Sequence, residues 1–128
     1  MLTREQLLGS FTRRYIDVAT DVPSVGVLTI QNLNESELSE VNSGALTKSG
    51  EISEAYNQVR RRRWFVATVV GEDKKRLLDY SDVPKLAGLD AAVISAVFVA
   101  ALKHCGQTAS EGEIKNSEET PGSALPTA

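Results

Sequence analysis

The sequence has few of the residues that most often carry out chemistry. It contains one cysteine and one histidine in 128 residues, and aromatic residues make up only 5% of it. A single cysteine, Cys105, excludes an internal disulfide, and the first residues do not resemble a secretory signal peptide. Phosphate-binding glycine loops, dinucleotide fingerprints, paired-cysteine zinc spacings and His-Glu-x-x-His helices are also missing. We therefore expect a cytoplasmic protein that is not an enzyme and that holds no cofactor and no metal.

Long apolar runs and a strong charge of one sign are missing as well. The longest apolar stretch, residues 91–102, contains Ser95 and falls short of the roughly 20 residues that span a bilayer. The 14 basic and 17 acidic residues give a net charge of −3, and the acidic excess lies after Cys105. The rest of the chain is close to neutral, which disfavours a dedicated nucleic-acid-binding protein. We expect neither a membrane nor nucleic acid as a partner.

Two groups of polar residues are weak candidates for chemistry. His104 and Cys105 are neighbours in a predicted helix, so their side chains point about 100° apart and are poorly placed to act as base and nucleophile. Four carboxylates surround the predicted turn at Gly71, namely Glu72, Asp73, Asp79 and Asp82. Their spacing fits no metal-binding loop, so we expect them to serve as turn and capping residues.

The hydrophobic pattern predicts one small α+β domain. Tyr15–Ala19 and Val27–Gln31 alternate between apolar and polar residues, which is typical of a two-stranded β-hairpin. Such a hairpin is marginal alone, so we expect it to pack on about four α-helices. Helices are predicted within residues 1–11, after the capping residue Asn34, over residues 52–70, from Ser81, and over Ala91–His104. The domain is expected to cover residues 1–105 and a flexible acidic tail residues 106–128.

The helix predicted over residues 52–70 is the element that the rest of the chain has to cover. Its apolar residues recur at three-, four- and seven-residue steps and form one stripe, which consists of Ile52, Ala55, Tyr56, Val59, Val66 and Val70. From Trp64 onwards the helix is apolar on nearly all sides. That half is therefore either buried on more than one side or exposed as a hydrophobic surface for a partner.

Four consecutive arginines at residues 60–63 precede Trp64, and together they could contact phosphates beside a stacking platform. On a helix, however, four successive positions spread around most of the circumference and form no one-sided basic stripe. Arg63 lies on the apolar stripe, and we expect its guanidinium to reach Asp79 or Asp82. An Arg-rich nucleic-acid-binding regulator stays open as an alternative.

Several short stretches follow one another in a characteristic order. They are LTREQLL at 2–8, PSVG in the hairpin turn at 23–26, IQNLNESE at 30–37, VVGED at 69–73, RLL at 76–78 and SDV at 81–83. With Leu86 and a closing apolar helix, they cover residues 1–105. This order of elements resembles that of the tail assembly chaperones of long-tailed, siphovirus-like bacteriophages.

The resemblance implies a protein of the host cytoplasm that is not an enzyme and is absent from the mature virion. Such a chaperone binds the long, helical tape measure protein and keeps it soluble while tail tube subunits assemble around it. The tail tube protein is a second implied partner, through a frameshift-extended form of the chaperone. A minor structural tail protein or head–tail connector protein is the alternative within the virion.

A protein that coats an amphipathic helix needs an apolar groove. The central and last helices offer more hydrophobic surface than a hairpin and two short helices need, so we expect them to bind the client or to mediate self-association. The expected apolar contacts are Trp64, Phe65, Val69, Val93, Val97 and Phe98. Arg60 and Arg61 are expected to steer acidic stretches of the client towards this groove.

Overall fold

The computed structural model describes residues 1–45 and 48–107, and it confirms the predicted α+β class. Within these residues a three-stranded antiparallel sheet, in the order β1–β2–β3, is combined with four α-helices and one 3₁₀ helix. In chain order the elements are α1 (Arg4–Leu8), β1 (Tyr15–Ala19), β2 (Val27–Gln31), α2 (Glu35–Val41), α3 (Glu54–Thr68), β3 (Val69–Val70), the 3₁₀ helix (Tyr80–Gly88) and α4 (Ala91–His104).

The hairpin has the two predicted strands, β1 and β2. Val18 lies opposite Leu28, and the two share one face of the sheet with Ile30 because side chains alternate along a strand. Val18 and Ile30 are buried on this face, which belongs to the hydrophobic core. The turn ends at Gly26, whose carbonyl accepts a 3.0 Å hydrogen bond from the amide of Thr20 and whose φ of 75° suits glycine.

The central helix is shorter than predicted, because its last two residues form a third strand. α3 starts after the N-cap Ser53 and ends at Thr68, and Val69 and Val70 then pair with β2 as β3. Two consecutive β-branched residues favour extended backbone. The pairing with β2 also satisfies N–H and C=O groups that are buried here. The prediction of a helix over residues 52–70 is therefore wrong at its C-terminal end.

The last helix, α4, has the predicted bounds and packs on α3 and on the sheet. Asp90 caps it, since its Oδ1 accepts a 2.9 Å hydrogen bond from the amide of Ala92. Gly106 adopts a φ of 75° after the helix, and the amide of Gln107 donates to the Leu102 carbonyl at 2.7 Å. Gly106 and Gln107, which were predicted to open the flexible tail, thus close α4, and residues 108–128 lie outside the described part of the chain.

The N-terminal helix α1 is short and does not join the core. Thr3 and Gln6 form the predicted capping box at its start. None of its residues is buried, and the side chains of Leu7 and Leu8 are 59% and 68% exposed. The capping signal in the sequence therefore predicts the start of the helix correctly. The apolar face predicted within the first eleven residues, in contrast, is not part of the hydrophobic core.

Candidate functional site

Most of the apolar residues that were expected to line a client groove lie in the core instead. Trp64, Phe65, Val69, Val93 and Val97 are between 0% and 4% exposed. The reason is that α4 covers α3 directly, so that the apolar face of each helix is used by the other. The expected open groove is therefore not a surface of the described chain. A partner would reach these five side chains only after α4 had moved away from α3.

The other three expected residues lie along the outer seam between α3 and α4. The guanidinium of Arg60 lies 5.2 Å from the ring centroid of Phe98, and Arg61 Nη1 donates a 2.7 Å hydrogen bond to Ser95 Oγ. Phe98 is half-buried and meets Trp64 edge-on, with 6.3 Å between ring centroids. We call this line of residues, Arg60, Arg61, Ser95 and Phe98, the α3–α4 seam.

The packing beneath the seam leaves one polar group unpaired. The indole Nε1 of Trp64 is buried and has no hydrogen-bond partner among the described residues. A buried donor without a partner costs about 1–3 kcal/mol of stability. The buried indole N–H therefore offsets part of the stabilisation that the apolar contact between α3 and α4 provides.

A cleft opens at the end of the seam where α4 begins. It lies between α3, the 3₁₀ helix and the first turn of α4, and its volume is about 110 Å³. The lining consists of Gln58, Arg61, Arg62, Leu86, Ala87, Leu89, Ala91 and Ile94. This set combines aliphatic walls with two guanidinium groups and, as far as the chain is described, contains no carboxylate. The accessible surface of the cleft is mainly polar, so it suits a negatively charged group with a small aliphatic contact beside it.

Sequence reasoning missed the contribution of Leu89 and Ile94 to this cleft, although a signal for it was present. Leu89 directly precedes the helix cap Asp90, and Ile94 is the fourth residue of α4. Apolar residues at these two positions are the pattern of a hydrophobic staple, which fixes how the chain enters a helix. Leu89 is still 36% exposed. Leu89 therefore leaves apolar surface within reach of a partner, whereas Ile94 is buried beneath it.

Arg63 has a structural role that differs from the predicted one. Its Nε donates to the Val41 carbonyl at 3.0 Å, and its Nη2 donates to the Glu40 carbonyl at 2.6 Å. Carbonyls at the end of a helix such as α2 lack the amide donor four residues further on that interior carbonyls have, so they can accept from a guanidinium. Asp79 and Asp82, the predicted partners, instead cap the 3₁₀ helix together. Arg63 thus holds α2 onto α3.

The remaining polar candidates have local structural roles. Burial raises the pKa of the Cys105 thiol, which lowers the fraction of reactive thiolate. His104 Nε2 lies 3.1 Å from the carbonyl oxygen of Arg14, the residue that precedes β1. Over residues 1–45 and 48–107, no group of three or more histidine, cysteine, aspartate or glutamate side chains is arranged to hold a metal ion.

Comparison with known proteins gives no relative from which a site could be transferred. No protein-family model, curated protein or solved structure matches this chain. None of the helices in the described residues has the length and apolar character to cross a membrane. The α3–α4 seam and its cleft are therefore interpreted from their own geometry and charge.

Proposed function

We propose that this protein is a tail assembly chaperone of a long-tailed bacteriophage. In this proposal it binds the tape measure protein in the host cytoplasm, keeps it soluble and helps tail tube subunits assemble around it. The observation that carries the proposal is the cleft at the α3–α4 seam, where Arg61 and Arg62 flank aliphatic walls. An amphipathic helix with carboxylates beside a leucine-like side chain would fit this arrangement. The link to phage tails rests on the order of sequence elements.

The size of the cleft supports a client that is bound at many points. A volume of about 110 Å³ is enough for one side chain, since a cavity of roughly 150 Å³ accommodates benzene. Full burial of an aliphatic side chain contributes about 1.5–3 kcal/mol, partial burial in this open cleft contributes less, and each exposed ion pair adds about 0.2–1 kcal/mol. One contact of this kind is weak. A long helical client that repeats the pattern would bind several copies of the chaperone and thereby be covered along its length.

The arrangement of the arginines favours this function over nucleic-acid binding. Arg60 stacks on Phe98, Arg61 is bonded to Ser95, and Arg63 is turned towards α2. Three of the four side chains therefore contact different partners rather than forming the continuous basic surface that follows a phosphate backbone. Arg61 and Arg62 also line the cleft, and two guanidinium groups suit local recognition of carboxylates.

Co-expression with the tape measure protein of the same phage tests the proposal. We expect the tape measure protein to move from the pellet to the supernatant and to co-purify with the chaperone. Arg62→Glu and Leu89→Asp should abolish this effect, because they reverse the charge of the cleft and remove its apolar wall. Lys75→Glu and Leu77→Asp are matched controls, since both residues are exposed and lie outside the cleft.

The outcomes separate the function from the site. A tape measure protein that stays insoluble with the wild-type chain would overturn the proposed function. If the wild-type chain solubilises it and the two cleft variants do so equally well, the function stands and the assignment of the cleft is wrong. Circular dichroism of each variant establishes that the fold is retained.

A further inference from the structure

Among the described residues, one long edge of the sheet has no neighbouring strand. β1 is the outer strand in the order β1–β2–β3. The hydrogen bonds from the Thr20 amide to the Gly26 carbonyl and from the Asn32 amide to the Arg14 carbonyl show that even-numbered positions of this strand face β2. Because backbone groups alternate in direction along a strand, the N–H and C=O groups of odd-numbered positions point away from the sheet. These outward positions are Tyr15, Asp17 and Ala19.

The edge has few of the features that usually prevent strands from pairing, and Asp17 is the one charged residue of β1. β1 contains no proline and no lysine, and its register with β2 runs without a bulge. Tyr15 and Ile16 are 36% and 39% exposed. Of the twelve large apolar residues exposed in the described chain, seven lie within residues 1–16. Apolar surface is thus concentrated on this edge and on the segment that leads into it.

We infer that two copies of this chain pair through β1 in antiparallel orientation, with the two-fold axis at Ile16, to form a continuous six-stranded sheet. In this register the outward-facing Tyr15 and Asp17 of one copy lie opposite Asp17 and Tyr15 of the other, so their backbone groups exchange hydrogen bonds. The exposed Ile16 side chains cover each other. The inference is independent of the tape measure protein and of the cleft.

Charge complementarity selects this register over its neighbour. An axis at Asp17 would place two carboxylates directly opposite each other, which is unfavourable. With the axis at Ile16, Asp17 faces the partner's tyrosine, and Lys74 lies with its Nζ 4.9 Å from the centroid of the Tyr15 ring. The Asp17 carboxylate uses its Oδ1 to accept a 2.7 Å hydrogen bond from Thr29 Oγ1. Its Oδ2 is placed to meet the lysine of the second copy.

Engineered disulfides test the dimer and its register together. In a Cys105→Ser background, Ile16→Cys places two cysteines at a non-hydrogen-bonded pair, where Cα atoms are about 4.5 Å apart and a disulfide can form. Ala19→Cys is the matched control on the same exposed strand. The two cysteines at position 19 would be displaced from each other by six residues along the strands, about 20 Å. We expect the first variant to cross-link under mild oxidation and the second to stay monomeric on a non-reducing gel.

Sedimentation equilibrium supplies a second measurement that needs no cysteine. The wild-type chain should approach twice its 13.8 kDa mass as its concentration rises. Lys74→Glu should raise the dimer dissociation constant about tenfold, and adding Asp17→Lys should restore it to within about threefold, since the charges are then exchanged. The inference is overturned if the wild-type chain is monomeric at every concentration, if both cysteine variants cross-link equally or not at all, or if the charge exchange restores nothing.

Discussion

The ion pair between Arg13 and Glu37 connects the segment just before β1 to α2. Removing this ion pair tests how much it contributes to the stability of the fold. Arg13 Nη1 and Nη2 donate to the two carboxylate oxygens of Glu37 at 2.9 and 2.8 Å, and Nη1 also donates to the Asn32 carbonyl. The two side chains are only 28% and 23% exposed. Glu37 is also the N3 residue of the α2 capping box, in which its Oε1 accepts from the amide of Asn34 at 2.9 Å.

Replacing Glu37 with glutamine removes the charge and keeps the cap, because either residue serves at N3 of a capping box. A hydrogen bond to a charged group contributes about 1.5–3 kcal/mol, and the partial exposure of both side chains lowers this figure. We therefore expect Glu37→Gln to lower the free energy of unfolding by about 2 kcal/mol at pH 7, which corresponds to a fall in Tm of roughly 8 °C. Glu35→Gln, at an exposed position of the same helix turn, should change stability by less than about 0.5 kcal/mol.

The pH dependence of this difference tests the cause. The hydrogen bond from Arg13, chiefly, holds the pKa of Glu37 below its usual value, while burial opposes it. A carboxylate whose pKa is lowered by folding stabilises the protein fully above its unfolded pKa of about 4.3, and this contribution is lost as the pH falls through the folded pKa. Urea unfolding should therefore show a constant gap between wild type and Glu37→Gln from pH 6 to 8 that closes below about pH 4. A gap that is equally large at pH 3 and pH 7, or absent at both, would refute this reasoning.

Three further substitutions have clear expected outcomes in the same urea assay. Val97→Ala should lower the free energy of unfolding by about 2 kcal/mol, because the side chain is fully buried. Val99→Ala, at a 60% exposed position of the same helix, should change it by less than about 0.5 kcal/mol. Equal effects would contradict the packing of α4. Gly26→Ala should lower the free energy of unfolding by about 1 kcal/mol because its φ is 75°. Gly71→Ala should lower it by less, since the one close contact of the new Cβ, at 2.9 Å, is with the end of the exposed Leu77 side chain, which can move; the reverse order would contradict this. Arg63→Lys should lower the free energy of unfolding by about 1 kcal/mol, because an ammonium group cannot donate to both carbonyls as the planar guanidinium does. An unchanged urea midpoint would contradict the role of Arg63 in holding α2 onto α3.

Local signals in the sequence were sufficient for much of the fold. The hairpin strands and α4 have the predicted bounds because their alternation and their caps depend on residues that are close in the chain. The capping boxes at Thr3 and Asn34 are likewise satisfied within one turn of each helix. Such features need no knowledge of the tertiary structure. For this reason the α+β class could be predicted, including the packing of a hairpin on helices.

Features that depend on distant residues could not be predicted in the same way. Val69 and Val70 continue the helical spacing of α3, and their β-branched side chains favour a strand only in combination with the pairing to β2, which the sequence does not show. Arg63 was expected to reach a carboxylate, yet it donates to two carbonyls at the end of α2, which are distant in the sequence. The apolar second half of α3 had two interpretations, and its burial in the core settles the choice in favour of packing on more than one side. The cleft beside Leu89 needs three elements to form, so the staple pattern of Leu89 and Ile94 predicts their contact but not the cleft itself.

Photo-crosslinking from the cleft tests the central claim most directly. A photoreactive amino acid is placed at Leu89, which lines the cleft and is 36% exposed, and in a separate protein at Leu77, which is 59% exposed and lies outside it. Each protein is co-expressed with the tape measure protein and irradiated in the cell. We expect a covalent adduct with the tape measure protein from position 89 and little or none from position 77. Adducts of equal yield from both positions, or an adduct from position 77 alone, would contradict it.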